Sequence, residues 1–120
     1  MSTNFNLGNL AFAKLNMSAA AIASGTIAIN NLGTTSIPIL SSLQNTQKIT
    51  FINPGTVTVY VCQSVDINGN PLSAGPVGGS VPILPGGFLE VTGNGVAGAW
   101  NGAAFSGSNN PLTILVSQTP

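Results

Sequence analysis

Short runs of β-branched and other apolar residues alternate with Pro, Gly, Asn and Asp along this chain from residue 26 onward. Runs of this kind, bounded by turn residues at close and regular intervals, are typical of the strands of an all-β sandwich. We therefore predict one antiparallel β-sandwich domain over residues 26–120, of the jelly-roll type with about eight strands. The predicted strands are residues 26–30, 36–40, 47–52, 57–64, 80–84, 87–92, 97–101 and 112–117.

Residues 1–25 differ from the rest in composition and are predicted to form an N-terminal arm. The arm mixes Asn, Ser and Ala with apolar residues whose spacing is too irregular for an amphipathic helix. It is either extended or contains a short helix over residues 15–23. Its large apolar side chains are the expected contacts of the arm, and they are Phe5, Leu7, Leu10 and Phe12.

Turn chemistry separates the predicted strands. Residues 53–55 (Asn-Pro-Gly) and 85–87 (Pro-Gly-Gly) each place a Pro with fixed φ before a Gly that tolerates positive φ, which predicts sharp reversals. In residues 66–71 (DINGNP), the Asn-Gly pair is suited to close a hairpin, with Asp66 accepting hydrogen bonds from nearby backbone N–H groups. Residues 72–79 are expected to form a longer exposed loop.

Two prolines lie inside strand-like runs, Pro38 and Pro82. Because proline donates no hydrogen bond to a sheet ladder, both strands are expected to be edges or bulged. Edge strands without charged residues tend to pair with neighbouring chains, which favours assembly.

Charge is scarce: the charged residues are Lys14, Lys48, Asp66 and Glu90, and the net charge is zero. A soluble domain that stays alone usually carries many more charges. We infer that other protein covers much of this surface; a coat rich in Asn, Ser and Thr that keeps a monomer soluble is the alternative. Two lysines cannot form the basic patch that phosphate binding requires, so nucleic acid is not an expected partner.

A membrane role is not expected either, because no apolar run reaches the length of a transmembrane helix. We expect residues 15–25 to be mature chain rather than a signal peptide.

The single cysteine, Cys62, cannot form an internal disulfide, and without a His to activate it we expect a buried small hydrophobe.

Three motif-like stretches have simpler explanations. Residues 93–98 (GNGVAG) have the glycine spacing of a dinucleotide loop, but no suitable helix or acidic residue follows. Residues 66–70 lack the later carboxylate of a calcium loop. The sequon at residues 16–18 is close to chance in a chain rich in Asn and Ser. We expect no cofactor and no metal.

Catalysis is not expected, because general acid–base chemistry would have to rely on two carboxylates, Asp66 and Glu90, with no Arg or His to tune them. Three aromatic residues, Tyr60, Trp100 and Phe105, are expected to anchor the core or an interface. A sugar-stacking platform is the alternative role for them.

Three segments resemble small β-sandwich structural proteins of tailed bacteriophages, particularly capsid decoration or cement proteins. They are ITFINPGTVTVYVCQS, SVPILPGGFLEV and GAWNGAAFSGSNNPLTILVS, and the resemblance extends over about residues 47–117. These segments are similar to that family in the order of an Asn-led turn before a Val-Tyr-Val strand, a Leu-Pro-Gly turn, and an aromatic strand before a terminal strand. The near absence of charge departs from many decoration proteins.

The resemblance implies a non-enzymatic protein on the capsid surface of a virion. Homo-oligomers such as trimers would bridge major capsid protein subunits, or another virion protein, and stabilise the shell. The arm would tie a copy to its neighbour or to the capsid floor.

Two other functions stay open from the residues. One is a virion or cell-surface module that binds glycans through Trp100 and the asparagines Asn94, Asn101, Asn109 and Asn110. The other is a self-assembling tail, fibre or pilus-like subunit, suggested by poorly guarded edges.

The strand at residues 57–62 is apolar on both of its alternating faces. A strand wetted on one face normally shows polar residues there. We predict that the second sheet of the same sandwich covers one face and that another protein subunit covers the other.

Overall fold

The computed structural model of this protein describes residues 24–43, 45–93 and 98–118. In this part the chain forms strands and no helix, and therefore no helix long and apolar enough to cross a membrane. The strands are β1 (Gly25–Leu32), β2 (Ile37–Leu40), β3 (Thr46–Ile52), β4 (Val59–Gln63), β5 (Val81–Ile83), β6 (Phe88–Thr92), β7 (Trp100–Ala104) and β8 (Asn110–Gln118).

The eight strands form two four-stranded antiparallel sheets. Sheet A has the order β1-β8-β3-β6, and sheet B has the order β2-β7-β4-β5. The first and last strands are neighbours, and the strands between them are shared out between the sheets in the manner of a jelly roll. The predicted fold class is confirmed.

The two ends of the sandwich differ. At one end, called here the short-loop end, the chain turns at residues 33–36, 53–58, 84–87 and 105–109. The opposite end carries the connection between β4 and β5, residues 64–80, and both ends of the described chain. There the backbone N–H of Gln118 donates to the Ser24 hydroxyl at 3.1 Å.

All eight predicted strands are present, but β7 lies three residues later than predicted. The sequence interpretation placed this strand over residues 97–101, and the structure places it over Trp100–Ala104. Its last three residues are small, so they carry little strand propensity of their own. Packing requires the small size of Gly102, because a Cβ there would meet two carbon atoms of Ile39 at 3.0 Å.

The core lies between the two sheets. Inward residues of the central strands, such as Ile49, Phe51 and Val61, have no exposed surface. Phe51 of sheet A meets Trp100 of sheet B with ring centroids 5.0 Å apart and planes tilted by 50°. This geometry is favourable for an aromatic pair and fixes the two sheets against each other.

Both predicted reversals are present at the short-loop end, with different roles for their glycines. Gly86 has φ +77°, and the N–H of Gly87 donates to the Leu84 oxygen at 2.8 Å, as in a type II turn with Pro85 at its second position. Gly55 lacks positive φ. It is small for another reason, because a Cβ there would lie 3.0 Å from the Pro111 ring.

The predicted positions of the two strand prolines are confirmed. Pro38 lies in β2 and Pro82 in β5, and these two strands are the edges of sheet B. The register of β2 against β7 also shifts between Pro38 and Leu40, which marks an irregularity at that edge.

Candidate interaction surfaces

The outer face of β4 is covered over Cys62 by a loop of the same chain. Cys62 is 1% exposed and packs in a small cluster with Ala103 of β7 and Ala74 of the 64–80 connection, with Leu72 and Tyr60 beside it. The prediction that another subunit covers this face is therefore wrong at Cys62. The covering segment follows β4 in the sequence and folds back over it.

Hydrogen bonds hold this covering loop on sheet B. The backbone N–H of Ala74 donates to the Ser36 hydroxyl at 2.9 Å, and the Asn101 amide donates to the Leu72 oxygen at 3.0 Å. The N–H of Leu72 donates to the Ser64 oxygen at 2.9 Å. Residues 72–79 were predicted to be an exposed loop, and most of them are, but Leu72 and Ala74 point to the sheet and seal its outer face.

The environment of the Cys62 thiol makes it unreactive. Burial raises its pKa above the ordinary value, and a hydrogen bond with the Ser80 side chain opposes this only in part. A neutral, buried thiol is a poor nucleophile and a poor metal ligand. The structure therefore agrees with the predicted role of Cys62 as a small buried apolar residue.

The Asp66 hairpin projects from the end opposite the short loops. The Asp66 carboxylate accepts hydrogen bonds from the backbone N–H groups of Asn68 at 2.8 Å and Asn70 at 2.9 Å, and Val65 forms a bridge with Pro71. The predicted hairpin and its local hydrogen bonds are confirmed. At its tip Ile67 is 98% exposed.

A cleft of about 510 Å³ lies beside this hairpin. The carboxylate of Asp66 in its lining is already engaged by the turn, and the other described lining residues are small, apolar or neutral. Among the described lining residues, Asp66 is therefore the only charged group, and its carboxylate serves the turn.

The outer face of sheet B is open beyond the covering loop. The pairing of β4 with its neighbours places Tyr60 beside Ala103 and Pro82. One step further, the N–H of Phe105 donates to the Thr58 oxygen at 2.9 Å and so continues the ladder to the short-loop end. Phe105 is 61% exposed and Leu84, at the end of β5, is 65% exposed.

The outer face of sheet A reaches the same end with Phe88, which is 70% exposed. Leu84 is the first residue of the turn at residues 84–87 and Phe88 follows that turn, so each sheet contributes an apolar residue there. We call Leu84, Phe88 and Phe105 the apolar tip. All three lie at the short-loop end, but Leu84 and Phe105 are on the outer face of sheet B and Phe88 is on that of sheet A. A partner that covers all three therefore has to contact this end of both sheets. Exposed apolar surface is a common mark of such contacts.

The predicted aromatic anchors occupy three different environments. Trp100 is a core residue, 6% exposed, and its ring therefore cannot stack on a sugar. Tyr60 is half-buried beside the Cys62 cluster, and Phe105 lies at the surface. The glycan-binding alternative thus loses its aromatic platform on Trp100.

The asparagines of that alternative do not form one polar site in the described residues. The amide of Asn101 donates to Leu72, and the amide of Asn110 donates to the Leu32 oxygen at 2.9 Å. Asn109 adopts a positive φ of 57° in its turn. Asn94 lies outside the described residues, as do the predicted arm contacts Phe5, Leu7, Leu10 and Phe12.

The two candidate carboxylates lie apart in the fold. Asp66 is in the hairpin that follows β4 of sheet B, whereas Glu90 is on the outer face of sheet A, 3.4 Å from the Lys48 amine. Both partners of this ion pair are about half-exposed, so it adds little to stability. The described residues contain no group of three His, Cys, Asp or Glu side chains placed to hold a metal ion.

No protein-family model, curated protein or solved structure matches this chain.

Sequence reasoning named Phe105 as a core or interface anchor but missed Leu84 and Phe88, the other two residues of the apolar tip. Leu84 ends one predicted strand and Phe88 lies near the start of the next. At the end of a strand, the alternation of polar and apolar residues does not show whether a side chain points to the core or to solvent. The signal that was present is their place beside the Pro-Gly-Gly turn, since turns lie at the surface.

Proposed function

We propose that this protein is a non-enzymatic structural subunit of a virus particle, a capsid decoration or cement protein that binds other virion protein through its short-loop end. The observation that carries the proposal is the apolar tip, where Leu84, Phe88 and Phe105 are each more than 60% exposed. The assignment to a virion rests on the sequence resemblance to phage structural proteins. The jelly-roll fold is compatible with it, because many viral capsid domains share that fold.

The size of the apolar tip suits a repeated contact. With large side chains offering about 150–250 Å² each, the three exposed residues present on the order of 350 Å². A stable one-to-one complex buries about 800 Å² on each partner, so the tip alone supports only a weak contact. Many copies on one particle convert weak contacts into stable attachment, because neighbouring contacts act together.

The scarcity of charge also supports a role in which other protein covers the sandwich. Because only four side chains of the whole chain are charged, little charge has to be desolvated when other protein covers the sandwich. Each square ångström of apolar surface covered contributes about 25 cal/mol, from which the cost of association is subtracted. We also propose that the protein forms a homo-oligomer and that arm residues 1–25 help to anchor it.

The test is reattachment to particles that have been stripped of the protein. Purified wild-type chain is expected to restore occupancy, whereas the double variant Phe88→Ser/Phe105→Ser should lose most of it while keeping its thermal stability. Ile67→Ser is the matched control, because it removes an apolar residue that is 98% exposed at the opposite end. Equal binding by the double variant and wild type would contradict the proposal.

A deletion tests the arm separately. Removal of residues 1–23 is expected to lower occupancy without abolishing it, because the apolar tip remains. Unchanged occupancy would show that the arm makes no contribution to attachment.

A further inference from the structure

The four sheet edges of this sandwich differ in how they are protected. Edge strands β2 and β5 contain Pro38 and Pro82, and β5 is only three residues long. Edge strand β6 carries Glu90, which is charged and exposed. Prolines, charges and short length are the usual means of preventing edge-to-edge pairing.

The remaining edge, β1, has none of these protections. It spans eight residues, Gly25–Leu32, without Pro and without charge. Its pairing with β8 is regular from Gly25 to Ile29 and shifts register between Ile29 and Leu32, so the regular edge is its first five residues. Among the described strands its only sheet neighbour is β8. A long uncharged edge of this kind presents unpaired backbone groups to another strand.

The inward side chains of β1 indicate that its open side is incompletely covered. Ile27 and Ile29 pair with Ile114 and Leu112 of β8, so they face the core. Both are only half-buried, whereas Ile114 is fully buried. A further strand beside β1 would complete their burial.

We propose that β1 pairs with β1 of a second copy of this chain, antiparallel about a two-fold axis at Ala28. In this register Ile27 of one copy lies opposite Ile29 of the other, so the half-buried side chains cover each other. On the outer face Ala28 meets Ala28, and Thr26 meets Asn30. Each of these outward residues is exposed, short and uncharged, so the strand is complementary to itself.

The pairing joins two copies of sheet A into one continuous eight-stranded sheet. It closes after two copies, because a two-fold contact uses the same edge of both. It leaves the apolar tip free, and it is independent of whether the proposed virion partner is correct. A trimer would need a different contact.

Cysteine cross-linking of the full-length chain tests the register. In either type of antiparallel pair, facing Cα atoms lie about 4.5–5.5 Å apart, within the range of a disulfide. Ala28→Cys is therefore expected to form covalent dimers under mild oxidation. Thr26→Cys is the matched control, since its two copies would be offset by four residues, about 13 Å. Native Cys62 is buried and does not compete.

The expected result is at least a tenfold excess of covalent dimer for Ala28→Cys over Thr26→Cys on a non-reducing gel. An equimolar mixture of Thr26→Cys and Asn30→Cys should cross-link where neither variant does alone. The proposal is overturned if Ala28→Cys stays monomeric, as it would with the arm seated on β1. It is also overturned if Thr26→Cys cross-links equally well, or if the mixture fails to cross-link.

Discussion

The side-chain amide of Asn53 donates a hydrogen bond of 2.9 Å to the carbonyl oxygen of Ile83, and it thereby joins the end of β3 in sheet A to β5 in sheet B. The same amide donates to the Val57 oxygen at 2.8 Å, and Asn53 has no exposed surface. The side-chain oxygen of Asn53 accepts a hydrogen bond from the N–H of Gly55 at 3.0 Å. A buried and fully engaged polar side chain therefore links the two sheets beside the apolar tip.

Asn53→Ala is expected to lower the free energy of unfolding by about 3 kcal/mol, because it leaves two carbonyl oxygens without this donor at a buried site. Urea denaturation measures the change. Asn101→Ala is the control, since it removes one hydrogen bond to Leu72 at a half-buried position and should cost about 1 kcal/mol. Equal losses of unfolding free energy in the two variants would show that Asn53 stabilises the fold no more than Asn101 does.

Trp100→Ala is expected to lower the free energy of unfolding by about 3–5 kcal/mol, because it opens a cavity against Phe51 in the core. Phe105→Ser should change it by only about 0.5 kcal/mol or less, since the ring is mostly in solvent. Thermal or urea unfolding of the two variants provides the comparison. A large loss for Phe105→Ser would place that ring in the core and remove it from the apolar tip.

The Cys62 thiol is expected to make stability depend on alkaline pH. Burial raises the folded-state pKa of this thiol, so the neutral form is favoured in the fold. The resulting stabilisation is fully present below the unfolded-state pKa and is lost as pH rises towards the higher folded-state pKa. Comparing wild type with Cys62→Ala across this pH range isolates the effect, and identical pH profiles would contradict it.

The same thiol is expected to resist modification in the folded protein. A thiol reagent at pH 8 should label Cys62 at least a hundredfold more slowly in buffer than in concentrated urea, because the covering loop excludes the reagent. Leu72→Ser, which weakens that loop, should speed labelling. Fast labelling of the folded wild type would mean that residues 72–80 do not stay on the sheet.

Asp66 gives the opposite dependence on pH. The N–H groups of Asn70 and then Asn68 hold the pKa of its carboxyl below the usual value. The local stabilisation of the hairpin is therefore present above the unfolded-state pKa and is lost as pH falls through the lower folded-state pKa. Amide NMR shifts of Asn68 and Asn70 should titrate together in acid. In Asp66→Asn, which keeps an acceptor oxygen, they should not.

The sequence was sufficient to predict the strands, because β-branched runs and the Pro-Gly and Asn-Gly turns act locally. It was insufficient for β7, where Gly102 fits the space beside Ile39 and Ala103 packs under the covering loop. The packing of the covering loop on the sheet could not be predicted either, since Leu72 and Ala74 form no periodic pattern. Their contact with the outer face of β4 exists only in the tertiary structure.

The candidate contact surface, the apolar tip, could not be fully predicted from the sequence either. Pattern alone could not distinguish the exposed Leu84 and Phe88 from core residues, whereas the scarcity of charge directed attention to the surface. The assignment of Trp100 to the core or an interface was resolved by its contact with Phe51.

Electron microscopy of the native particle that contains this chain tests the central claim most directly. The proposal predicts density for the sandwich on the capsid surface, with its short-loop end against another virion protein and with Leu84, Phe88 and Phe105 covered. Density in which these three side chains face solvent while another surface makes the contact would contradict it.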